Sequence, residues 1–165
     1  MEMTQREFPA RPLLRFAGLS AGLLLMLAPR ISPPLEAQAT AGTSLTIHVT
    51  GARNAKGKIR AALFQDSKGF PNDPSRAVQT QAADIDPHIL SAQVAFTDLH
   101  DGVYAVSVFH DENENQKLDK DFVGIPKEGY GASNNPKKKM GPPSFEEARF
   151  RLSTSQQSME IKLIY

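Results

Sequence analysis

No cysteine and no tryptophan occur among the 165 residues. Without thiols the chain forms no disulfide, no thiolate metal site, no cysteine nucleophile and no lipid anchor on an N-terminal cysteine. It also lacks an excess of one charge: 19 Lys and Arg stand against 18 Asp and Glu, a net charge of +1. A protein that grips nucleic acid through its phosphates needs a basic excess or stripe, so nucleic acid is not an expected partner. Long apolar runs are missing too. The most apolar stretch, Phe16 to Ala28, is thirteen residues, short of the about 20 that a membrane-crossing helix needs. What the chain has in quantity is turn formers, 12 Pro and 11 Gly, the composition of short strands joined by many turns.

The start of the chain reads as an export signal. Arg6, Arg11 and Arg15 precede the apolar stretch, and a polar, Pro-rich segment then leads to Ala37-Gln38-Ala39. Small residues at the first and third positions of that triplet suit signal peptidase, so residues 1–39 are expected to be removed and Thr40 to begin the mature protein. An uncleaved anchor is the alternative. No Arg-Arg pair precedes the stretch, which favours the general secretory route over the twin-arginine route. Four of the basic and three of the acidic residues lie within 1–39, so the remainder is balanced. The expectation is a periplasmic or secreted protein with no transmembrane segment after cleavage, and one domain over 40–165.

That remainder alternates like strands. Leu45 to Thr50, Lys58 to Gln65, Ser91 to Thr97, Glu147 to Leu152 and Met159 to Tyr165 each place apolar residues at every second position. Val78 to Ile85 is a weaker strand. Val103 to Phe109 is apolar on both faces, the mark of a central strand covered on two sides. The first two strands, separated by a turn over Gly51 to Gly57, are expected to pair as a hairpin. Ser144-Phe-Glu-Glu147 also fits a helix capping box, and one helical turn ahead of the strand reconciles the two patterns. About seven strands with no long helix predict an all-β sandwich of the immunoglobulin-like or prealbumin-like kind.

Residues 110–145 break this rhythm. Loops longer than about 12–15 residues are uncommon in compact domains and are usually functional or disordered. Near its start, Asp111, Asn113, Asn115 and Asp119 place side-chain oxygens at positions 1, 3, 5 and 9, and Lys117 offers a carbonyl at position 7. This is the ligand spacing of a calcium loop, since calcium takes six to eight oxygens. Two positions depart from it. Gln116 stands where such loops have Gly, and Phe122 where an EF-hand has its bidentate Glu, so Asp121 or Glu128 must complete the set. The alternative is an Asn/Asp-rich turn without metal. Magnesium fits less well, because it dehydrates reluctantly. Tyr130, followed by Gly131, and the run Lys137, Lys138, Lys139 form a weaker candidate surface for a sugar or an acidic group. His110 shares a strand face with Tyr104, Val106 and Val108, which suits a hydrogen-bonded histidine at the core edge. No nucleophile signature surrounds Ser107, Ser133 or Ser144, and no histidine spacing suits zinc.

Several words of this segment carry a resemblance. Gly102-Val-Tyr104, His110-Asp111-Glu-Asn113-Glu-Asn115, Phe122-Val-Gly124-Ile-Pro126-Lys-Glu128-Gly-Tyr130-Gly131, Ser133-Asn-Asn135 and Gly141-Pro-Pro-Ser-Phe145 fall in one order over Leu45 to Leu163. They resemble the bacterial exported family known as DUF2141. The family usually has Gly at the position of Gln116 and an aromatic at that of Ala132. The resemblance implies an exported bacterial β-sandwich and no particular activity. The Leu99-His-Asp-Gly102-Val-Tyr104 entrance is similar to prealbumin-like modules of bacterial surface proteins. The Tyr-Arg-Gly-Ser ending of transthyretin-related hydrolases is absent, the chain closing on Lys162-Leu-Ile-Tyr165.

The expected function is therefore a non-catalytic, calcium-stabilised module with a binding or structural role in the bacterial envelope, its partner a protein or glycan there. Two alternatives remain. One is a small periplasmic hydrolase in which His110, Asp121 and Glu128 converge. The other is a binder of carbohydrate or envelope polymer using Tyr130 and the lysine run.

Overall fold

The computed structural model describes residues 42–137, 141–153 and 155–165. The expected signal segment 1–39, Thr40, and Lys138 and Lys139 lie outside the described residues. Within them the chain forms β1 (Thr43–Thr50), β2 (Lys58–Phe64), β3 (Gln79–Asp84), β4 (Ala92–Leu99), β5 (Gly102–Asp111), β6 (Tyr130–Ala132), a single-turn helix α1 (Phe145–Ala148), β7 (Phe150–Leu152) and β8 (Gln156–Lys162). A 3₁₀ turn covers Pro74–Arg76.

The strands make two sheets, an all-β sandwich. One sheet has the order β4-β1-β8, with β1 antiparallel to β4 and parallel to β8. The other runs β3-β2-β5-β6, and β7 also pairs with β5. β6 takes Ser107–Phe109 of β5 and β7 takes Gly102–Tyr104, so two short strands follow one another along one long strand. Ser133 joins them. Its hydroxyl donates to the Ala148 carbonyl at 2.6 Å and accepts from the Val106 N–H at 2.9 Å.

Period-2 alternation explains the core, because successive side chains of a strand point to opposite faces. Leu45, Ile47 and Val49 of β1 and Val94 and Phe96 of β4 face Ile59, Ala61 and Leu63 of β2 and Val106 and Val108 of β5, all buried in one cluster. The opposite face of β5 is covered as well. There Ala62, Ala105 and Ala132 are small enough for Phe145 and Ala148 of α1 to close over the sheet. Phe64, Phe70 and Phe145 meet edge to face at 5.4 and 5.8 Å between ring centres, a favoured geometry for aromatic rings. β5 is thus the expected two-sided central strand. The capping box is present too: the Ser144 hydroxyl accepts from the Glu147 N–H, and the Glu147 carboxylate accepts from the Ser144 N–H at 3.0 Å.

Two expectations are corrected. β1 and β2 do not form a hairpin; they lie in different sheets. The connection over 51–57 crosses the end of the core, so Ile47 and Ile59 face each other across the sandwich rather than side by side. The segment 110–145 also contains a strand, β6, whose three residues are too short to show alternation.

Candidate functional site

Three connections emerge at one end of the sandwich. Thr50 ends β1, Lys58 begins β2 and pairs with both Asp84 and Asp111, and Ala92 begins β4 beside Val49. The connections 51–57, 85–91 and 112–129 therefore meet there. Gly57 permits the closest approach. Its φ is +65°, and a Cβ on it would sit 1.9 Å from the Asp111 carbonyl oxygen, so both the conformation and the space require glycine.

His110 closes the apolar face of β5 at this end and is fully buried. Its Nε2 lies 2.7 Å from the Lys56 carbonyl oxygen and its Nδ1 2.8 Å from the Tyr165 hydroxyl. A carbonyl only accepts, so Nε2 carries a proton, and in the neutral ring the Tyr165 hydroxyl is the donor to Nδ1. That hydroxyl in turn accepts from the Arg53 N–H at 3.0 Å. Arg53 covers the Tyr165 ring, its guanidinium carbon 4.8 Å from the ring centre, and pairs with Glu112 at 2.6 Å. Burial disfavours the charged form of Glu112, but the Asn54 amide and the Arg53 guanidinium outweigh it and hold the carboxyl below its ordinary pKa. Burial pushes the Tyr165 phenol up.

The next residue, Asp111, is also fully buried. Its Oδ1 accepts from the Asn115 N–H at 3.0 Å, and its Oδ2 from the Gln116 N–H at 2.9 Å. Arg60 of β2 donates to the same Oδ2 and neutralises the buried charge. Asn113 and Asn115 then each accept from the backbone N–H two residues on, at 3.2 and 2.8 Å, the turn that short polar side chains favour. Glu114 and Gln116 take positive φ, +58° and +67°. The backbone thus makes its sharp turn at position 6 with glutamine in place of glycine.

The two amides converge on one carboxylate. Asn113 Nδ2 donates to Asp119 Oδ2 at 2.8 Å and Asn115 Nδ2 to Asp119 Oδ1 at 3.0 Å. Glu128, buried, receives the Glu112 N–H at 2.9 Å and the Asp119 N–H at 3.0 Å, holding the two ends of the loop together. Of the residues predicted as an oxygen cluster, Asp111, Asn113, Asn115 and Asp119 are brought into one hydrogen-bonded unit, with the Lys117 N–H bonded to Asn115 and Glu128 bracing the unit from behind. Among the described residues no group of three or more His, Cys, Asp or Glu is placed to hold a metal; half of the unit's side chains are amides.

Beyond the unit the chain makes a second, tighter turn. Asp121 Oδ1 accepts from the Val123 and Ile125 N–H groups at 3.0 and 2.8 Å, and its own N–H donates to the Ile125 carbonyl. Phe122, Val123 and Ile125 stand outward on this turn. The side chains of His110, Asp121 and Glu128 each bond to different partners, and no hydrogen bond joins the three. Tyr130 lies in β6, and with Lys137 it borders a cavity at the surface. Sequence reasoning missed Arg60, Tyr165, Arg53 and Asn54 as parts of the site. The β2–β5 register, which sets Lys58 against Asp111 and Arg60 two residues further along, is the signal that finds Arg60.

The fold and this end define a class: an all-β sandwich module carrying a self-bonded polar loop. The chain belongs to a bacterial family, as its sequence words implied. The family model described as "Uncharacterized protein conserved in bacteria (DUF2141)" matches residues 47–160. No curated protein and no solved structure matches the chain. Among the described residues no helix is long and apolar enough to cross a membrane.

Proposed function

We propose that the protein is an exported, non-catalytic module of the bacterial envelope, in which residues 111–128 form a pre-ordered contact loop tied by calcium. The observation that carries this reading is the use made of the loop's acids. Asp111 and Glu128 are buried, and each holds two N–H groups of the loop's own backbone, so these acids build a shape and are not aimed into a cleft. The fixed ring of His110 supports the same view.

The donor set suits a hard dication. Asp111 Oδ1, Asn113, Asn115 and Asp119 would supply side-chain oxygens and Lys117 a carbonyl, while Glu128 braces the loop behind them. Calcium would cross-link the side chains that amide–carboxylate hydrogen bonds now join. With two carboxylates among the ligands the affinity is expected near the weak end, about 10⁻⁴–10⁻³ M, which extracellular modules use.

The test is thermal unfolding in excess EGTA and then in millimolar calcium, with magnesium as control. An ion at 100 times its Kd adds about 2.7 kcal/mol, a rise of several degrees for a domain of this size. Asp119→Ala, at a half-buried position, should remove the calcium-specific rise. An unchanged melting temperature in calcium, or an identical rise in Asp119→Ala, overturns the calcium tie.

A second reading, a binder of carbohydrate or envelope polymer, has one observation in its favour. Tyr130, Lys137, Pro142, Glu147 and Ile164 border a cavity of about 220 Å³, which combines a ring with hydrogen-bonding groups. Glycan binding that is lost in Tyr130→Ala would favour it over the loop reading.

A further inference from the structure

Six large apolar side chains stand exposed among the described residues, and five of them lie at the loop end: Ile89, Phe122, Val123, Ile125 and Tyr165. The sixth, Val78, leads into β3 at the other end. The connections that carry them are tied together. The Ala52 N–H bonds the Leu90 carbonyl at 3.2 Å, and Arg53 and Asn54 both reach Glu112.

The most prominent group is the turn over 121–126. Phe122 is 99 % exposed, Val123 61 % and Ile125 62 %. The turn is closed by the Asp121 side chain and by the Asp121–Ile125 backbone bond, so its apolar side chains are displayed on fixed backbone. An exposed apolar group rimmed by polar residues marks an interaction site.

Charge at this end is sorted by direction. Asp111 and Glu128 are buried, and Glu112, Asp119 and Asp121 are partly buried and bonded within the fold. Lys56, Lys117, Lys120 and Lys127 are exposed, with Asp86 and Glu114 the exposed acids of the same connections. Five acids at this end turn inward, while Asp84, which pairs with Lys58, and Asp86 and Glu114 are exposed; the four lysines of the connections all point outward, and two of them flank the apolar turn directly.

From this we propose that the loop end docks on an anionic lipid bilayer, Phe122, Val123 and Ile125 entering the interface while Lys117, Lys120 and Lys127 meet the headgroups. The inference rests on reading 111–128 as a contact loop and names its partner. A stable protein interface buries about 800 Å² on each side, more than three side chains on a convex turn can offer. A bilayer takes up such side chains one by one, and anionic lipid adds attraction for each nearby lysine.

Because the chain has no tryptophan, Phe122→Trp is a single-site reporter, and Val123→Trp a second should the first fold poorly. The protein as isolated from expressing cells is mixed with vesicles of phosphatidylcholine, alone or with phosphatidylglycerol. The expected result is a blue shift on the phosphatidylglycerol vesicles, quenched by lipids brominated in their acyl chains. Partitioning should fall about tenfold in Phe122→Ala/Ile125→Ala and also in Lys120→Glu/Lys127→Glu. Emission that stays that of a water-exposed tryptophan overturns the proposal, as does an equal shift on both vesicles or a shift caused only by a protein. A calcium-dependent melting rise that persists without any blue shift removes the bilayer and leaves the contact-loop reading standing. Loss of the rise with the blue shift retained does the reverse to the calcium tie.

Discussion

Val106 and His110 lie on the same face of β5 and neither is exposed, yet they are held by different means. Val106 belongs to the buried cluster of Ile, Leu, Val and Phe side chains from both sheets, where apolar side chains ask only for matching shape. His110 and the adjacent Asp111 are held by directional bonds to Lys56, Tyr165, Arg60, Asn115 and Gln116. A core of the first kind tolerates exchange among apolar residues of similar volume. A buried polar unit of the second kind does not, because removing one member leaves its partners buried and unsatisfied. The middle and the end of one strand therefore differ in what a mutation does, at equal burial.

The sharpest way to break this contrast is at Asp111. Asp111→Ala leaves the Arg60 charge and two N–H groups without their acceptor, and should cost about 3–5 kcal/mol in urea unfolding. Leu63, equally buried in the apolar cluster, should lose about 2–5 kcal/mol as Leu63→Ala but less than about 1.5 kcal/mol as Leu63→Met. If Asp111→Leu proved as mild as Leu63→Met, the distinction would fail.

Next in size is Gly57→Ala. The added Cβ meets the Asp111 carbonyl and the φ of +65° disfavours any side chain. A loss of about 2 kcal/mol is expected, again read in urea. Smaller still is the effect of acid on Glu112. Its folded pKa is lowered, so its contribution is present above the ordinary carboxylate value and is lost as pH falls through the folded value below it. The stability of Glu112→Gln should fall less steeply than that of the parent across this acid window. Last, Gln116→Gly relieves a left-handed glutamine and should raise stability by up to about 1 kcal/mol. It should also tighten any calcium response, since the turn no longer works against its side chain.

Much of the fold is legible in the sequence because alternation records which face of a strand is covered. Leu45-Ile47-Val49 and Val94-Phe96 show it without ambiguity, and the two-sided run of β5 announces a central strand. Alternation does not record partners. Nothing in β1 says that its neighbours are β4 and β8, and the false hairpin with β2 came from nearness in sequence. β6 escaped because Tyr130-Gly131-Ala132 is a strand only by virtue of the β5 edge and the bridge from Tyr130 to Ile164. The loop divides in the same way. Asp111, Asn113, Asn115 and Asp119 are readable as every-second-residue oxygens, because a tight turn brings local residues to one centre. Arg60 meets Asp111 from 51 residues away, Tyr165 meets His110 from 55 and Arg53 meets Tyr165 from 112, and only the tertiary fold puts them there.

The parallel pairing of β1 with β8 sets an order of events. β1 is the middle strand of its sheet, and Ser44 through Thr50 find their neighbours at Gln156 through Lys162. A chain emerging from its N-terminal side holds β1 with one edge unpaired until β8 has appeared. Contacts this distant in sequence slow folding, because the intervening chain must be closed before they form. The three-stranded sheet is thus complete only once β8 has joined β1 along its free edge.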